Sequence, residues 1–215
     1  MQDFLMNIYD VMLKQYGRQN WWPADSLLEV IVGAVLTQNT SWRGVEKAIN
    51  NLKREGLLNM ESIINDDSVL DLIRPSGFYN VKHKRLKNML LSIKSTFGDN
   101  LENLKFVEKG FMRDFLLSLK GIGKETADSI LLYGLGHPYF VVDAYTKRLF
   151  ERLGVFKEND YDVIQKFFHT HLPLSTQMFN EYHALIVAHS KNVCKKRAEC
   201  EMCPLIEYCN YGKKR

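Results

Sequence analysis

Two features in the middle of the chain have residue types and a spacing suited to chemistry: a glycine turn and a single aspartate. Gly121 and Gly123 stand directly before a helix that we predict to begin near Lys124, and Asp143 ends the extended run YFVVD. Glycines let a ligand approach the backbone, and the N–H groups at a helix start favour an anion such as a phosphodiester oxygen. A carboxylate at the mouth of a cleft can stabilise a developing positive charge or orient water. Both features also have a structural interpretation, since the turn can be an ordinary helix connection and Asp143 can be a helix cap.

A third feature is a group of four cysteines near the C-terminus. Their spacing is C-x5-C-x2-C-x5-C, and they are Cys194, Cys200, Cys203 and Cys209. In a chain that we expect to be cytosolic, such a group favours metal binding over disulfides. Zinc and a four-iron four-sulfur cluster both accept four thiolates, so the spacing leaves both open.

Positive charge is concentrated in three places, although the net charge is only +4. Residues 74 to 98 carry six Lys and Arg and no acid, the tail from Lys191 to Arg215 is net basic, and Lys120 and Lys124 flank the glycine turn. Three separate patches fit a polyanion that crosses the molecule. Any single patch is equally well explained as a solvated helix face.

The elements that position these residues are predicted to be helices. Apolar residues recur at helical spacing along the chain and strand-like alternation is scarce, which predicts an all-α fold of about ten short helices. A chain of 215 residues with 46% hydrophobic content suits one large or two small domains. The longest uncharged apolar run, VIVGAVL, is too short to span a membrane, and the first residues, MQDFLMNIYD, carry acids and do not have the basic, apolar pattern expected of a leader. We therefore expect a cytoplasmic protein with no membrane partner.

Together these pieces resemble the endonuclease III superfamily of DNA base-excision glycosylases. LKGIGKETADSILLYG and HPYFVVD are similar to the helix-hairpin-helix and the Gly/Pro-Asp loop of that family, and the cysteine loop is similar to its four-iron four-sulfur loop. VLTQNT and GFYNVKHKR fall where the family has its DNA-intruding loops. One departure is that five residues, where the family usually has six, separate the first two cysteines.

The resemblance implies two helical domains with a DNA cleft between them. Residues 22–133 would form a six-helix bundle with the hairpin, and residues 1–21 plus 134–215 would form a composite domain with the cluster loop at 194–209. The resemblance also implies a nucleoid-associated monomer that binds double-stranded DNA containing a damaged base. The DNA-contacting residues would be Gln38, Phe78, Tyr79, Asn80, Lys120, Gly121, Gly123, Lys124 and Thr126. Of these, Gln38 and residues 78 to 80 would fill the gap left by the extruded nucleotide, unless they are ordinary buried or packing residues.

The resemblance also bears on mechanism. Bifunctional members carry a lysine in the hairpin helix that attacks the sugar, and the matching position here is Glu125, which cannot form a Schiff base. We therefore expect a monofunctional glycosylase, in which water is the nucleophile and Asp143 supports an oxocarbenium-like transition state. Lys124 lies one residue before the matching position, and because a helix turns about 100° per residue, its side chain should point toward phosphate and not into the pocket. The alternative is a bifunctional lyase on oxidised pyrimidines that uses Lys124.

The three tryptophans indicate which base is removed. Trp21, Trp22 and Trp42 occur in NWWPADS and NTSWRGV, a pattern similar to the 3-methyladenine glycosylase branch. Indole faces attract the positive charge of an alkylated purine, and Glu125 could accept a hydrogen bond from that base. The prediction is excision of 3-methyladenine or a related purine. The tryptophans could instead be core aromatics, and the protein a non-catalytic DNA-binding module.

Overall fold

The computed structural model describes residues 1 to 214 and confirms the all-α class, because these residues contain helices and no strand. Eleven α-helices are present among them, joined by short 3-10 turns. No helix in the described part of the chain combines the length and the apolar character needed to cross a membrane. The helices are α1 (Gln2–Tyr16), α2 (Leu27–Leu36), α3 (Trp42–Arg54), α4 (Met60–Asn65), α5 (Ser68–Leu72), α6 (Tyr79–Phe97), α7 (Lys109–Ser118), α8 (Lys124–Ser129), α9 (Ala144–Leu153), α10 (Tyr161–His171) and α11 (Thr176–Asn192).

The chain divides into two compact units. The hairpin unit is Trp22–His137, and the composite unit is Met1–Trp21 together with Pro138–Arg215. The hairpin unit is built around α2, whose ten residues LLEVIVGAVL are all buried. This helix starts with the Ser26–Glu29 pair of a capping box in a variant form: the Ser26 hydroxyl accepts the Glu29 N–H at 3.2 Å, and the Glu29 carboxylate accepts the N–H of Asp25, one residue before the cap, at 2.9 Å. It packs against α3, α6 and the segment that follows α8.

The segment that follows α8 is a π-helix, Ile130–Gly134. The Leu135 N–H donates to the Ile130 carbonyl at 3.1 Å, five residues back, and this widens the turn by one residue relative to an α-helix. At its end, a Cβ on Gly134 would lie 2.6 Å from Leu27, so glycine allows the segment to approach α2 closely.

The composite unit joins the beginning of the chain to its end. Helix α1 packs against α11, and the Tyr182 hydroxyl donates to the Leu5 carbonyl at 2.7 Å. An aromatic core fills the unit, in which Phe140 and Phe168 stack at 3.9 Å between ring centroids. The other members of this core are Phe150, Phe179 and Tyr182.

Candidate functional site

The predicted glycine turn connects α7 to α8 in the hairpin unit. Gly121 has a positive φ of 87°, and a Cβ there would collide with the Arg85 side chain, so both backbone conformation and space require glycine. Gly123 has an ordinary φ, and a Cβ on it would meet nothing within 4 Å. The open space at Gly123 leaves this side of the turn accessible to a ligand.

A buried ion pair fixes the two helices of the hairpin. Arg113 of α7 makes a bidentate contact with Asp128 of α8, with nitrogen to oxygen distances of 2.7 and 3.1 Å. Asp128 is fully buried. Around this hairpin, Lys120 and Glu125 are exposed and Lys124 is half-buried. The Lys120 ammonium and the Glu125 carboxylate therefore both lie at the surface beside the turn.

Gln38, predicted to fill the gap in DNA, is hydrogen-bonded to the hairpin through both ends of its amide. Its oxygen accepts from Arg85 Nη1 at 2.6 Å, and its nitrogen donates to the Gly121 carbonyl at 3.1 Å and to the Thr126 hydroxyl at 3.0 Å. Thr126 is buried, so its hydroxyl holds Gln38 in this conformation. Insertion of Gln38 into DNA would require these three hydrogen bonds to break.

Phe78 lies at the start of α6 in a conformation that is unusual for its residue type. Its φ is 48°, in the left-handed region, and 72% of its surface is exposed. Tyr79 is half-buried with the Arg74 guanidinium 5.5 Å from its ring centroid, and Asn80 is exposed. An exposed phenyl ring on a strained backbone is suited to contact a partner, and the DNA contact of this loop stays a prediction.

Lys82 connects the two predicted DNA-intruding loops, a role that the sequence alone did not indicate. Only 1% of Lys82 is exposed, and its Nζ donates to the Leu36 carbonyl at 2.7 Å and to the Ser76 carbonyl at 2.6 Å. Burial, aided by the charge of Arg85, lowers the pKa of Lys82 to about 8. This ammonium group thus joins the end of α2 to the turn before Phe78.

Two of the three predicted pocket tryptophans lie together in the hairpin unit. The Trp22 ring contacts Trp42 at 5.2 Å between centroids and 90° between planes, and it contacts Tyr133 at 5.2 Å and 47°. All three rings are half-buried. Trp21 belongs to the composite unit. Tyr133 was not predicted; it reaches this cluster from the π-helical segment.

Asp143 caps α9 in the composite unit and has a histidine partner. Its Oδ1 accepts the Thr146 N–H at 2.7 Å, and its Oδ2 lies 3.4 Å from Nε2 of His183 on α11. Burial alone would raise the pKa of Asp143, but the His183 ring and the Thr146 N–H outweigh it, and the pKa lies below its ordinary value. The carboxylate is therefore charged at neutral pH.

The four cysteines line a single pocket in the composite unit and form no disulfide. Arg152 Nη1 donates to the sulfur of Cys194 at 3.2 Å, and the Gly212 N–H donates to that of Cys209 at 3.4 Å. Within the described residues, no three Cys, His, Asp or Glu side chains converge closely enough to hold a single metal ion.

Comparison with known proteins establishes the class. Residues 32–173 match the HhH-GPD superfamily of base excision DNA repair proteins. The chain is 52% identical over 212 residues to a candidate DNA repair glycosylase of Methanocaldococcus jannaschii, and the match covers 96% of each chain. The chain belongs to the HhH-GPD superfamily, as the sequence predicted. It is a DNA glycosylase of base excision repair, an enzyme whose partner is DNA.

Two solved structures are similar to this one. H. pylori 3-methyladenine DNA glycosylase bound to 1,N6-ethenoadenine has a TM-score of 0.77 and 33% identity, over 88% of this chain and 96% of that one. Endonuclease III in a non-covalent complex with DNA has a TM-score of 0.85 and 21% identity, over 100% and 98% of the two chains. The second likeness shows the fold alone.

Proposed function

We propose that this glycosylase is monofunctional and hydrolyses the N-glycosidic bond of a flipped, damaged purine, with 3-methyladenine or a related alkylated base as substrate. The observation that carries the proposal is the aromatic cluster of Trp22, Trp42 and Tyr133. Electron-rich ring faces attract a cationic purine, and such a purine leaves readily. The 33% identity to a 3-methyladenine glycosylase supports the same substrate class.

In the proposed reaction the C1′–N bond breaks, its electron pair leaves with the base, and water attacks the electron-poor C1′ and releases a proton to solvent. Asp143, charged at neutral pH, would stabilise the positive charge that develops on the sugar. His183 and the Thr146 N–H each contact one oxygen of this carboxylate and would hold it in a single orientation. Such pre-orientation lowers the reorganisation needed as charge develops.

The absence of a lyase step follows from Glu125. An amine is needed to form a Schiff base with the sugar, and the hairpin helix carries a carboxylate where the bifunctional relatives described above have lysine. The alternative amine is that of Lys124, which is half-buried and lies one residue earlier. Borohydride trapping on abasic DNA separates the two mechanisms, since only an amine nucleophile leaves a covalent adduct.

We further propose that the cysteine pocket holds a four-iron four-sulfur cluster. The four sulfurs line one pocket, and the similarity of the cysteine loop to the four-iron four-sulfur loop of the endonuclease III superfamily supports this cluster over the alternative, a structural zinc ion. Cys194, Cys200, Cys203 and Cys209 would be its ligands. When bound, such a cluster supplies a one-electron redox centre and a crosslink for the loop.

The test of substrate class is a release assay on alkylated, deaminated and oxidised duplexes side by side. Release of 3-methyladenine above all other bases is expected. Trp42→Leu should reduce that release, whereas Phe111→Leu, a control at an exposed aromatic outside the cluster, should leave it unchanged. Release of oxidised pyrimidines with a trapped adduct would favour the lyase, and release of no base at all would refute the proposal. Sedimentation of the purified protein checks the expected monomer.

A further inference from the structure

His189 is a fully buried histidine that connects α1 to the cysteine loop. It lies on α11 with 0% exposure. On one side its Nδ1 is 2.9 Å from the Tyr16 hydroxyl of α1, and on the other its Nε2 is 3.8 Å from the sulfur of Cys203. The rings of Tyr16 and His189 are 5.9 Å apart and tilted by 59°. A titratable ring is thus enclosed between a phenol and a thiol.

The position of the protons on this ring follows from the phenol. Burial, together with the nearby Cys203 and Cys194, raises the pKa of Tyr16 to about 12, so the hydroxyl keeps its proton and can donate it to Nδ1. A neutral imidazole that accepts at Nδ1 carries its hydrogen on Nε2, and an imidazolium carries one on each nitrogen. In either state, an N–H group faces the sulfur of Cys203.

We propose that Tyr16 fixes His189 as an Nε2–H donor to the Cys203 thiolate, and that this hydrogen bond raises the reduction potential of the cluster. The inference rests on the cluster assignment made above. A hydrogen bond to a ligating sulfur stabilises the more negative, reduced cluster more than the oxidised one. Removal of the bond therefore shifts the potential to a more negative value.

Cys203 differs from two of its neighbours in how its sulfur is hydrogen-bonded. Cys194 receives a donor from the permanently charged Arg152, and Cys209 receives one from a backbone N–H. Cys203 accepts the backbone N–H of Leu205 and also a side-chain donor, His189, which depends on a second residue, because the partner of Nδ1 decides which nitrogen of the neutral ring carries the hydrogen. Tyr16 can therefore be changed without altering a ligand or the ring that contacts it.

The experiment compares Tyr16→Phe with the parent protein, both carrying their cluster. The variant keeps the aromatic ring and removes only the hydroxyl, so Nδ1 loses its donor and the hydrogen on Nε2 is no longer enforced. Voltammetry should show a more negative reduction potential. Nitrogen NMR of the histidine ring should show Nε2–H in the parent and a mixture of tautomers in the variant. His189→Leu should shift the potential in the same direction.

Tyr9→Phe is the matched control, because Tyr9 lies on the same helix and its ring contacts Tyr182, in the aromatic core. Its potential should equal that of the parent. If Tyr16→Phe retains the visible absorbance of the cluster and also the parent potential, this inference is wrong while the cluster assignment stands. A colourless protein that contains zinc would overturn the cluster assignment and this inference with it. Base release measured on the same samples reports separately on the proposed glycosylase activity.

Discussion

Substitution of Asp143 should separate its two roles, since the carboxylate is a helix cap and also the proposed catalytic group. Asp143→Asn keeps an oxygen that can accept the Thr146 N–H, now at 2.7 Å, and it removes the negative charge. Asp143→Ala removes both the oxygen and the charge. The two variants should therefore have similarly low activity and different stability.

The expected magnitudes follow from these contacts. Asn and Asp are nearly equivalent as caps, so Asp143→Asn should change the free energy of unfolding by about 1 kcal/mol or less. Asp143→Ala leaves the N–H of Thr146, a fully buried residue, without its acceptor, at a cost of about 2 kcal/mol. For a chain of this size that cost lowers Tm by about 4–8 °C. Loss of a group that stabilises developing charge typically reduces the rate by about 10²–10³-fold.

Single-turnover base release, thermal unfolding and DNA affinity together test this separation. We expect both variants to lose base release, Asp143→Ala to have a clearly lower Tm than Asp143→Asn, and both to keep their affinity for undamaged DNA. The stability difference between parent and Asp143→Asn should also shrink as pH falls. The pKa of Asp143 is lower in the folded state than in the unfolded state. The charged carboxylate therefore stabilises the fold at pH values above the unfolded-state pKa of about 4, and this stabilisation is lost as the pH falls further. Parent-like base release by Asp143→Asn would refute the catalytic assignment.

Three further predictions concern the hairpin unit. Gly33→Ala places a Cβ 2.8 Å from the Trp22 ring and must displace the ring, which should lower the free energy of unfolding by about 1–3 kcal/mol. Because the displaced ring belongs to the proposed base pocket, the ratio of 3-methyladenine to other released bases should change in the release assay. Lys82→Met leaves two buried carbonyls without a donor, and denaturant titration should show a loss of about 2–4 kcal/mol. Since Lys82 binds its proton more weakly in the folded state, the parent should gain stability relative to Lys82→Met as pH rises from about 8 toward 10.5. Glu125→Lys should form a borohydride-trapped adduct with abasic DNA that the parent does not form, and the lack of any adduct would contradict the assignment of that position.

Features set by neighbouring residues could be predicted from the sequence. The helical class follows from the spacing of apolar residues, and the hairpin turn follows from its two glycines. Capping by Asp143 is equally local, because the acceptor and the Thr146 N–H are three residues apart. These predictions depend on backbone rules that act within one turn of helix.

Contacts between distant residues could not be predicted in the same way. His183 lies 40 positions after Asp143 and Lys82 lies 46 after Leu36, and nothing in the local pattern marks either residue as a partner. The position of Tyr133 depends on a π-helical turn, in which one extra residue rotates the side chain away from the α-helical direction. Gln38 was predicted as a DNA contact. Its hydrogen bonds were not predicted, because one of them comes from Arg85, 47 positions later in the chain.

The order of synthesis has a consequence for the composite unit, which is assembled from both ends of the chain. Tyr16 leaves the ribosome 173 residues before His189, an interval of about 9–35 seconds at roughly 5–20 residues per second. A single helix of 15 residues is only marginally stable alone, so α1 has no permanent fold during that wait. The contiguous hairpin unit can mature in the meantime. Docking of α1 therefore waits until α11, which carries His189, has been synthesised.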